Sequence, residues 1–152
     1  MKNLFILLLC ISSISFTACH KTTPTEKVKS AFEKLYPDAM NTSWEQEKKG
    51  EWEAEFKQDG IEMEAAFDKD GNWLETDYEI SAKELPEAVL ASLKAEFVDF
   101  EIEFVESVST PDFEGYEIEI EKEDENGDFE YEVYISKEGE IVKKEALDED
   151  DD

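Results

Sequence analysis

The sequence predicts an α+β protein built from a tandem duplication of one αββββ unit, with an antiparallel sheet and helices packed on one of its faces. Three observations support this fold class. Two segments place apolar residues at helical spacing, and several others alternate apolar and charged residues with the period of a strand. The same order of segments then occurs twice along a chain of 152 residues, a length that suits a single domain.

The internal repeat is visible in the order of aligned segments. Four pairs align: residues 28–36 with 89–97, 52–56 with 116–120, 61–67 with 129–135, and 68–74 with 136–142. The distance between partners grows along the chain, as expected when small insertions fall in loops, where they are tolerated. We therefore predict a first repeat at residues 26–81 and a second repeat at residues 82–147.

Each repeat is predicted to begin with a helix. The first helix is expected over residues 25–36, because Val28 and Phe32 share an apolar helical face and Pro37 must end the helix. The second is expected over residues 84–97, where valine and leucine residues again recur at helical spacing.

Four strands are expected to follow each helix. Residues 51–57, 116–121 and 129–135 alternate apolar with mainly acidic side chains. Hairpin turns are predicted at the dipeptides Asp59-Gly60, Asp70-Gly71, Asn126-Gly127 and Glu138-Gly139. Such alternation indicates a half-buried antiparallel sheet, with the apolar set in the core and the acidic set in solvent.

Residues 1–18 have the pattern of a lipoprotein signal peptide. Lys2 is followed by an apolar run that is too short to span a bilayer. Residues 16–19, Phe-Thr-Ala-Cys, resemble a bacterial lipobox, in which small residues precede a cysteine that is lipidated after cleavage. We therefore expect Cys19 to anchor the chain in the membrane and residues 19–25 to form a tether. The protein is then extracytoplasmic, in the bacterial cell envelope, facing the periplasm or the cell surface. Secretory cleavage without lipidation and a buried N-terminal helix are the alternatives.

The composition excludes several classes of function. The chain has 42 Asp+Glu against 15 Lys+Arg, a net charge of -27, and all of its cations are lysines. A nucleic-acid binder needs a basic surface, and bidentate phosphate recognition needs arginine. In the mature chain Cys19 is lipidated and the single histidine, His20, lies in the tether. We therefore expect no disulfide, no catalysis by thiol or histidine, and no histidine zinc site.

Four segments of the first repeat carry a recognisable pattern: residues 31–39 (AFEKLYPDA), Trp44, residues 52–56 (WEAEF) and residues 67–73 (FDKDGNW). Together they resemble the PepSY-like family, secreted proteins of Bacteroidetes-type bacteria whose fold is similar to that of β-lactamase inhibitor proteins. The resemblance covers residues 25–147, more loosely in the second repeat. It implies a non-enzymatic role outside the cytoplasm and a sheet face that binds protein, and it identifies no partner.

The solvent face of the predicted sheet carries rows of glutamates: Glu51, Glu53, Glu55, Glu62, Glu64, Glu117, Glu119, Glu121, Glu130 and Glu132. Like charges opposite each other across strands cost roughly 0.2–1 kcal/mol per pair. Three interpretations remain open. The face is a solvated, charge-buffering surface that prevents aggregation, or a docking face for a cationic protein or peptide, with Trp73 and Tyr134 as aromatic contacts if they point outward, or a weak site for divalent cations such as Ca²⁺.

A second candidate for a cation is the turn that follows the third predicted strand. Asp68, Asp70 and Asn72 offer oxygen ligands at alternating positions, like the start of a calcium loop. The later ligands of such a loop are missing, so a hairpin turn is the favoured interpretation. The tail at residues 148–152 is predicted to be a solvated acidic end. We expect no other cofactor, and we expect a monomer.

Hydrolysis of a glycan by paired carboxylates is the enzymatic alternative. It requires two carboxyl groups in a cleft with pKa values moved apart, and an open sheet face offers no such environment. The sequence therefore predicts no catalytic residues. It predicts an extracytoplasmic lipoprotein that binds a cationic protein or peptide through the acidic face of its sheet.

Overall fold

The computed structural model describes residues 23–46, 49–124 and 127–147. The predicted signal peptide, the predicted lipidation site Cys19 and the acidic tail lie outside the described residues. Within the described part of the chain, no helix is long and apolar enough to cross a membrane.

The helices and strands follow one another in the predicted order. They are α1 (Glu26–Leu35), β1 (Met40–Glu45), β2 (Glu51–Gln58), β3 (Ile61–Asp68), β4 (Trp73–Glu79), a 3₁₀ turn (Ala82–Glu84), α2 (Glu87–Glu96), β5 (Phe100–Ser109), β6 (Glu114–Asp124), β7 (Gly127–Ser136) and β8 (Ile141–Leu147). All eight strands pair antiparallel in one sheet, in the order β1 to β8. The fold is therefore α+β, with a continuous eight-stranded sheet and two α-helices among the described residues.

α1 begins and ends close to the predicted positions. The Val28 backbone N–H donates a hydrogen bond to the Thr25 side chain at 3.4 Å, which caps the first turn. The helix ends at Leu35, just before Pro37, which cannot continue it. Val28 and Phe32 are buried on the face that meets the sheet.

α2 begins at Glu87, later than the predicted start at residue 84. Pro86 precedes the helix and disfavours a helical conformation of Leu85, so the residues before it form a separate 3₁₀ turn. That turn is closed by a capping box, in which the Ser81 backbone N–H donates to Glu84 Oε2 at 2.9 Å.

α1 packs on β2 and β3 through a mainly aromatic cluster. Val28 and Phe32 contact Trp52, Phe56 and Phe67, all of which are buried. The rings of Phe32 and Phe56 meet edge to face, with centroids 5.0 Å apart. Burying one such side chain stabilises the fold by about 1.5–3 kcal/mol, so this cluster holds the helix on the sheet.

α2 packs on the second part of the sheet through a mainly aliphatic cluster. Val89 and Leu93 of the helix lie against Ile118, Val133 and Ile135, and all five are fully buried. These strand residues alternate with acidic ones along β6 and β7, so the acidic side chains project from the opposite face of the sheet.

Candidate functional site

The acidic face is the side of the sheet that carries the residues alternating with the core positions. Its carboxylates, in chain order, are Glu45, Glu51, Glu53, Glu55, Glu62, Glu64, Asp68, Glu75, Asp77, Glu79, Glu101, Glu106, Glu117, Glu119, Glu121, Glu130, Glu132 and Glu145. All ten glutamates predicted for the solvent face therefore lie on it. The sheet brings together carboxylates from β1 through β8.

The strand register places many of these carboxylates directly opposite one another. Cross-strand partners are Glu45 and Glu53, Glu51 and Asp68, Glu55 and Glu64, Glu64 and Asp77, Glu79 and Glu106, Glu101 and Glu121, Glu106 and Glu117, Glu119 and Glu132, Glu121 and Glu130, and Glu132 and Glu145. Each like-charge pair costs roughly 0.2–1 kcal/mol. Among the described strand residues, Lys57 and Lys143 are the lysines whose register places them on this face.

Both lysines lie toward the two ends of the sheet, away from its centre. Lys57 Nζ is 3.5 Å from Glu62 Oε1, and Lys143 Nζ is 3.1 Å from Glu132 Oε1 and 3.0 Å from Glu145 Oε2. The positive charge on the acidic face is therefore held near β2 and β8, whereas the strands between them carry the carboxylates with the most perturbed pKa values.

Asp77 and Glu106, on the adjacent strands β4 and β5, are the most perturbed of these carboxylates. Burial, reinforced by the neighbouring charges of Glu106 and Glu64, raises the pKa of Asp77 to about 7. Burial, reinforced by Glu117 and Glu64, likewise raises the pKa of Glu106 to about 7. Both groups are half-buried, so a substantial fraction of each carries a proton near neutral pH.

These two residues were not among the predicted site residues. β5 contains a register shift between Ile102 and Phe104, where one extra residue reverses the alternation. Glu101 and Glu106 therefore lie on the same face, although their numbers differ in parity. The alternation Glu75-Thr76-Asp77-Tyr78-Glu79 in β4 is a signal that could have identified Asp77 from the sequence.

Glu117 and Tyr134 form a hydrogen-bonded pair next to this centre. Burial raises the pKa of Glu117, and the hydrogen bond from Tyr134 opposes that rise. Burial and the nearby carboxylates raise the pKa of the Tyr134 hydroxyl, so it stays protonated and donates. Lys143 Nζ lies 4.8 Å from the centroid of the Tyr134 ring. The centroids of the Tyr134 and Phe113 rings are 6.3 Å apart. Tyr134 thus lies on the acidic face, as predicted.

Trp73 does not lie on the acidic face, so the condition under which it would be an aromatic contact there is not met. β4 has an extra residue, Leu74, relative to β3, which places Trp73 opposite the buried Phe67. The side chain packs against the core below α1, and its Nε1 donates a hydrogen bond to Thr76 Oγ1 at 2.8 Å. Without this bulge the tryptophan would face the same way as Asp77.

The acidic face is also less open than the alternation suggested. A cleft of about 440 Å³ lies between β1–β3 and β5, lined by carboxylates that include Glu55, Glu64, Asp77 and Glu106, and by the ring of Phe104. The sheet face that we expected to be open therefore contains a cleft on this side. Chemically, the cleft offers several anionic oxygens to one cationic group, with an aromatic wall for an apolar stem.

The turn with Asp68, Asp70 and Asn72 has the geometry of a hairpin turn. Asp68 accepts hydrogen bonds from the backbone N–H groups of Asp70 and Asn72, at 2.8 and 2.9 Å, and from Asn72 Nδ2 at 2.7 Å. These bonds lower the pKa of Asp68. Asp70 pairs with Lys69 at 2.6 Å and with Lys27 at 3.6 Å. The carboxylate oxygens proposed as cation ligands therefore form hydrogen bonds and ion pairs that stabilise the turn.

Another acidic group lies on β2 and β3. One carboxylate oxygen from each of Glu53, Glu55 and Glu64 falls within 4.8 Å of the other two. Ser43 Oγ donates to Glu55 Oε2 at 3.0 Å. Exposed carboxylates commonly approach one another in this way without a metal ion, so the group does not by itself assign a metal site.

Comparison with solved structures gives close similarity over nearly the whole fold. A BLIP-like protein from Bacteroides fragilis is 27% identical with a TM-score of 0.72, covering 88% of this chain and 93% of that one. A DUF2874 family protein from Bacteroides ovatus is 25% identical with a TM-score of 0.70, covering 84% and 91%. A protein from Bacteroides eggerthii, described provisionally as periplasmic, shares the fold at 24% identity and a TM-score of 0.66, covering 83% and 91%.

Comparison with sequence families gives the same answer. No curated protein matches this chain. Residues 50–143 match the PepSY-like family, described as beta-lactamase-inhibitor-like, and this match spans more than half of the chain. Sequence, sheet topology and solved relatives agree, and the chain belongs to the PepSY-like family.

Proposed function

We propose that this protein is a non-enzymatic, extracytoplasmic lipoprotein that binds a cationic protein or peptide through its acidic face. The observation that carries the proposal is the strand register, which sets carboxylates directly opposite one another across most of the sheet. Such an arrangement destabilises the free protein, and a partner that supplies positive charge relieves the repulsion on binding.

The centre of the face favours docking over a purely solubilising role. A solubilising surface keeps its charges in water. Here Asp77 and Glu106 are half-buried, and their raised pKa values reflect incomplete hydration. Phe104 and Tyr134 add aromatic surface beside them, which is common where proteins bind one another.

Charge reversal at matched positions tests this proposal. One triple variant replaces the acidic-face residues Glu55, Glu119 and Glu130 with lysine. The control replaces three exposed acids elsewhere, Glu33→Lys, Asp38→Lys and Glu138→Lys, so that both proteins have the same net charge.

The readout is calorimetric titration with a short peptide of alternating lysine and serine, in about 150 mM NaCl, where the Debye length is about 8 Å. We expect affinity to fall at least tenfold more in the acidic-face variant than in the control. Equal losses would mean that the peptide responds only to net charge, and the docking proposal would then fail.

The extracytoplasmic location and the lipid anchor belong to the same proposal. The lipobox-like residues 16–19 support it, as does the provisional description of the similar Bacteroides eggerthii protein as periplasmic. Metabolic labelling with palmitate tests the anchor. Label should enter the wild-type chain and be absent from Cys19→Ser; equal labelling of both would refute lipidation at this residue.

A carboxylate-dependent hydrolase is the second candidate, and the observation that favours it is the pair Asp77 and Glu106 beside the cleft. Against it, both pKa values move in the same direction for the same reasons, whereas an acid and base pair needs them moved apart. Hydrolysis of a glycan by the wild type that is lost in Asp77→Asn would favour the hydrolase.

We also propose that the two halves are a tandem duplication, with both helices on the face opposite the acidic face. Matching irregularities support this. Leu74 and Val142 are the extra residues at equivalent bulges, and Gly71 and Gly139 lie under the first turn of the helix in their own half. Destabilisation by alanine at both glycines would support the equivalence, and an effect at only one would contradict it.

A further inference from the structure

We propose that Asp77, Glu106 and Glu117 form a proton-linked switch at the centre of the acidic face. In the free protein these crowded, half-buried carboxyl groups keep their protons to higher pH than exposed carboxyl groups do, and a cationic partner must displace those protons to dock. The stability of the free protein therefore falls as pH rises, whereas its affinity for the partner increases. The second part rests on the proposed function, and the first part does not.

Asp77, Glu106 and Glu117 lie close together on three adjacent strands. Glu106 of β5 lies directly opposite Glu117 of β6, and Glu79, two residues beyond Asp77 on β4, lies opposite Glu106 from the other side. Asp77 lies opposite Glu64 of β3. These strands are in the middle of the sheet, so the three carboxyl groups have neighbouring strands on both sides and are half-buried.

The surroundings are acidic on every neighbouring strand. The other charged and titratable groups that share this face are Glu45 on β1, Glu51, Glu53, Glu55 and Lys57 on β2, Glu62, Glu64 and Asp68 on β3, Glu75 and Glu79 on β4, Glu101 on β5, Glu119 and Glu121 on β6, Glu130, Glu132 and Tyr134 on β7, and Lys143 and Glu145 on β8. The two lysines pair with Glu62, Glu132 and Glu145.

Proton binding follows from this geometry. Burial and the like charges around them favour the neutral form of Asp77 and Glu106, whose pKa values rise to about 7. Burial, reinforced by the neighbouring carboxylate of Glu132, raises the pKa of Glu117 as well.

The sign of the pH effect follows from linkage. Unfolded Asp and Glu titrate near pH 4, so between about pH 4 and pH 7 Asp77 and Glu106 bind more protons in the folded chain than in the unfolded chain. Their contribution to the free energy of unfolding therefore decreases as pH rises through this range and through 7. A cation in the cleft favours the ionised carboxylates, so its binding releases protons and strengthens as pH rises.

The stability part is tested by urea unfolding of the mature chain at pH 6, 7 and 8 and constant ionic strength, in a His20→Gln background that removes the histidine. We expect the unfolding midpoint to fall with pH. The double variant Asp77→Asn, Glu106→Gln should lose most of this dependence. The control Glu55→Gln, Glu130→Gln, which changes two exposed residues on the same face, should keep it.

A midpoint that is flat or rises between pH 6 and 8 would overturn the switch, as would a double variant that keeps the wild-type dependence. If the double variant does not fold, carbon-13 NMR titration of the side-chain carboxyls in the wild type decides. A carboxyl resonance of Asp77 or Glu106 that titrates near pH 7 supports the switch. Titration of all carboxyls below about pH 5 overturns it.

The partner part is tested by calorimetry with the alternating lysine–serine peptide at pH 6 and 8, in buffers with different heats of ionisation. We expect tighter binding at pH 8 and proton release at pH 7. Binding without proton release overturns the switch and leaves the docking proposal standing. No binding at any pH overturns the docking proposal together with this part of the switch, while the dependence of stability on pH stands alone.

Discussion

Three glycines at hairpin turns provide a matched set of substitutions, because all have φ near +80 to +90° but differ in their surroundings. A Cβ atom at Gly60 would have no neighbour within 4 Å. At Gly71 it would lie 2.9 Å from the backbone oxygen of Lys27, and at Gly139 2.7 Å from that of Ala88. We consider three single variants, in which alanine replaces one of these glycines at a time.

The expected costs follow from these distances. Left-handed backbone costs alanine about 1–2 kcal/mol, and reduced freedom of the unfolded chain returns about 0.4–1 kcal/mol. Gly60→Ala should therefore cost about 1 kcal/mol or less. At Gly139 the helix must also move, at about 1–3 kcal/mol for overpacking. The hydrogen bond from Ser92 Oγ to the Gly139 carbonyl, 2.6 Å long, is then strained as well, at about 1 kcal/mol. Gly139→Ala should cost about 3 kcal/mol, and Gly71→Ala an intermediate amount.

The assay is equilibrium unfolding in urea at one pH, with equal m-values required before the free energies are compared. The order of destabilisation should be Gly139→Ala, then Gly71→Ala, then Gly60→Ala. If Gly60→Ala costs as much as Gly139→Ala, backbone strain alone explains the effects, and close packing of the turns does not hold each helix on its own half of the sheet.

Three further outcomes are expected. Thr76→Val should lower the free energy of unfolding by about 2 kcal/mol in the same urea assay. The buried Thr76 hydroxyl accepts a hydrogen bond from Trp73 Nε1 and forms another with the Tyr36 hydroxyl, and valine can form neither. Thr76→Ser keeps the hydroxyl and should recover most of the loss. Asp68→Ala should lower the free energy of unfolding by less than Thr76→Val does, because it removes only exposed hydrogen bonds within the turn. In thermal melts, NaCl and CaCl₂ of equal ionic strength should raise the midpoint equally, because both screen the acidic face; a clearly larger rise with CaCl₂ would instead indicate a specific cation site.

Much of the fold could be read from the sequence where one alternation dominates. β2, β6 and β7 alternate without interruption, so their core residues, such as Phe56 and Ile118, and their solvent-facing glutamates were identified correctly. The boundaries of α1 were also predicted closely, because Thr25 caps the first turn and Pro37 cannot continue the helix. The start of α2 was placed too early because apolar spacing continues across Pro86, which the helix cannot include.

The centre of the acidic face could not be predicted, because it depends on pairing between strands. One inserted residue at a bulge reverses which way the following side chains point, as Trp73 and Glu106 both illustrate. The raised pKa of Asp77 depends further on having Glu64 and Glu106 on the strands to either side. Sequence spacing alone gives neither the strand order nor the burial that produces this shift.

The most direct test of docking on the acidic face is an amide and side-chain NMR map of the nitrogen-15 and carbon-13 labelled mature chain, titrated with the alternating lysine–serine peptide at pH 8. We predict that the largest shifts fall on the acidic-face residues of β3 to β7, with the Asp77 and Glu106 carboxyls and the Tyr134 ring among them. Shifts spread evenly over the helices and turns, or concentrated away from these strands, would contradict a docking site on this face.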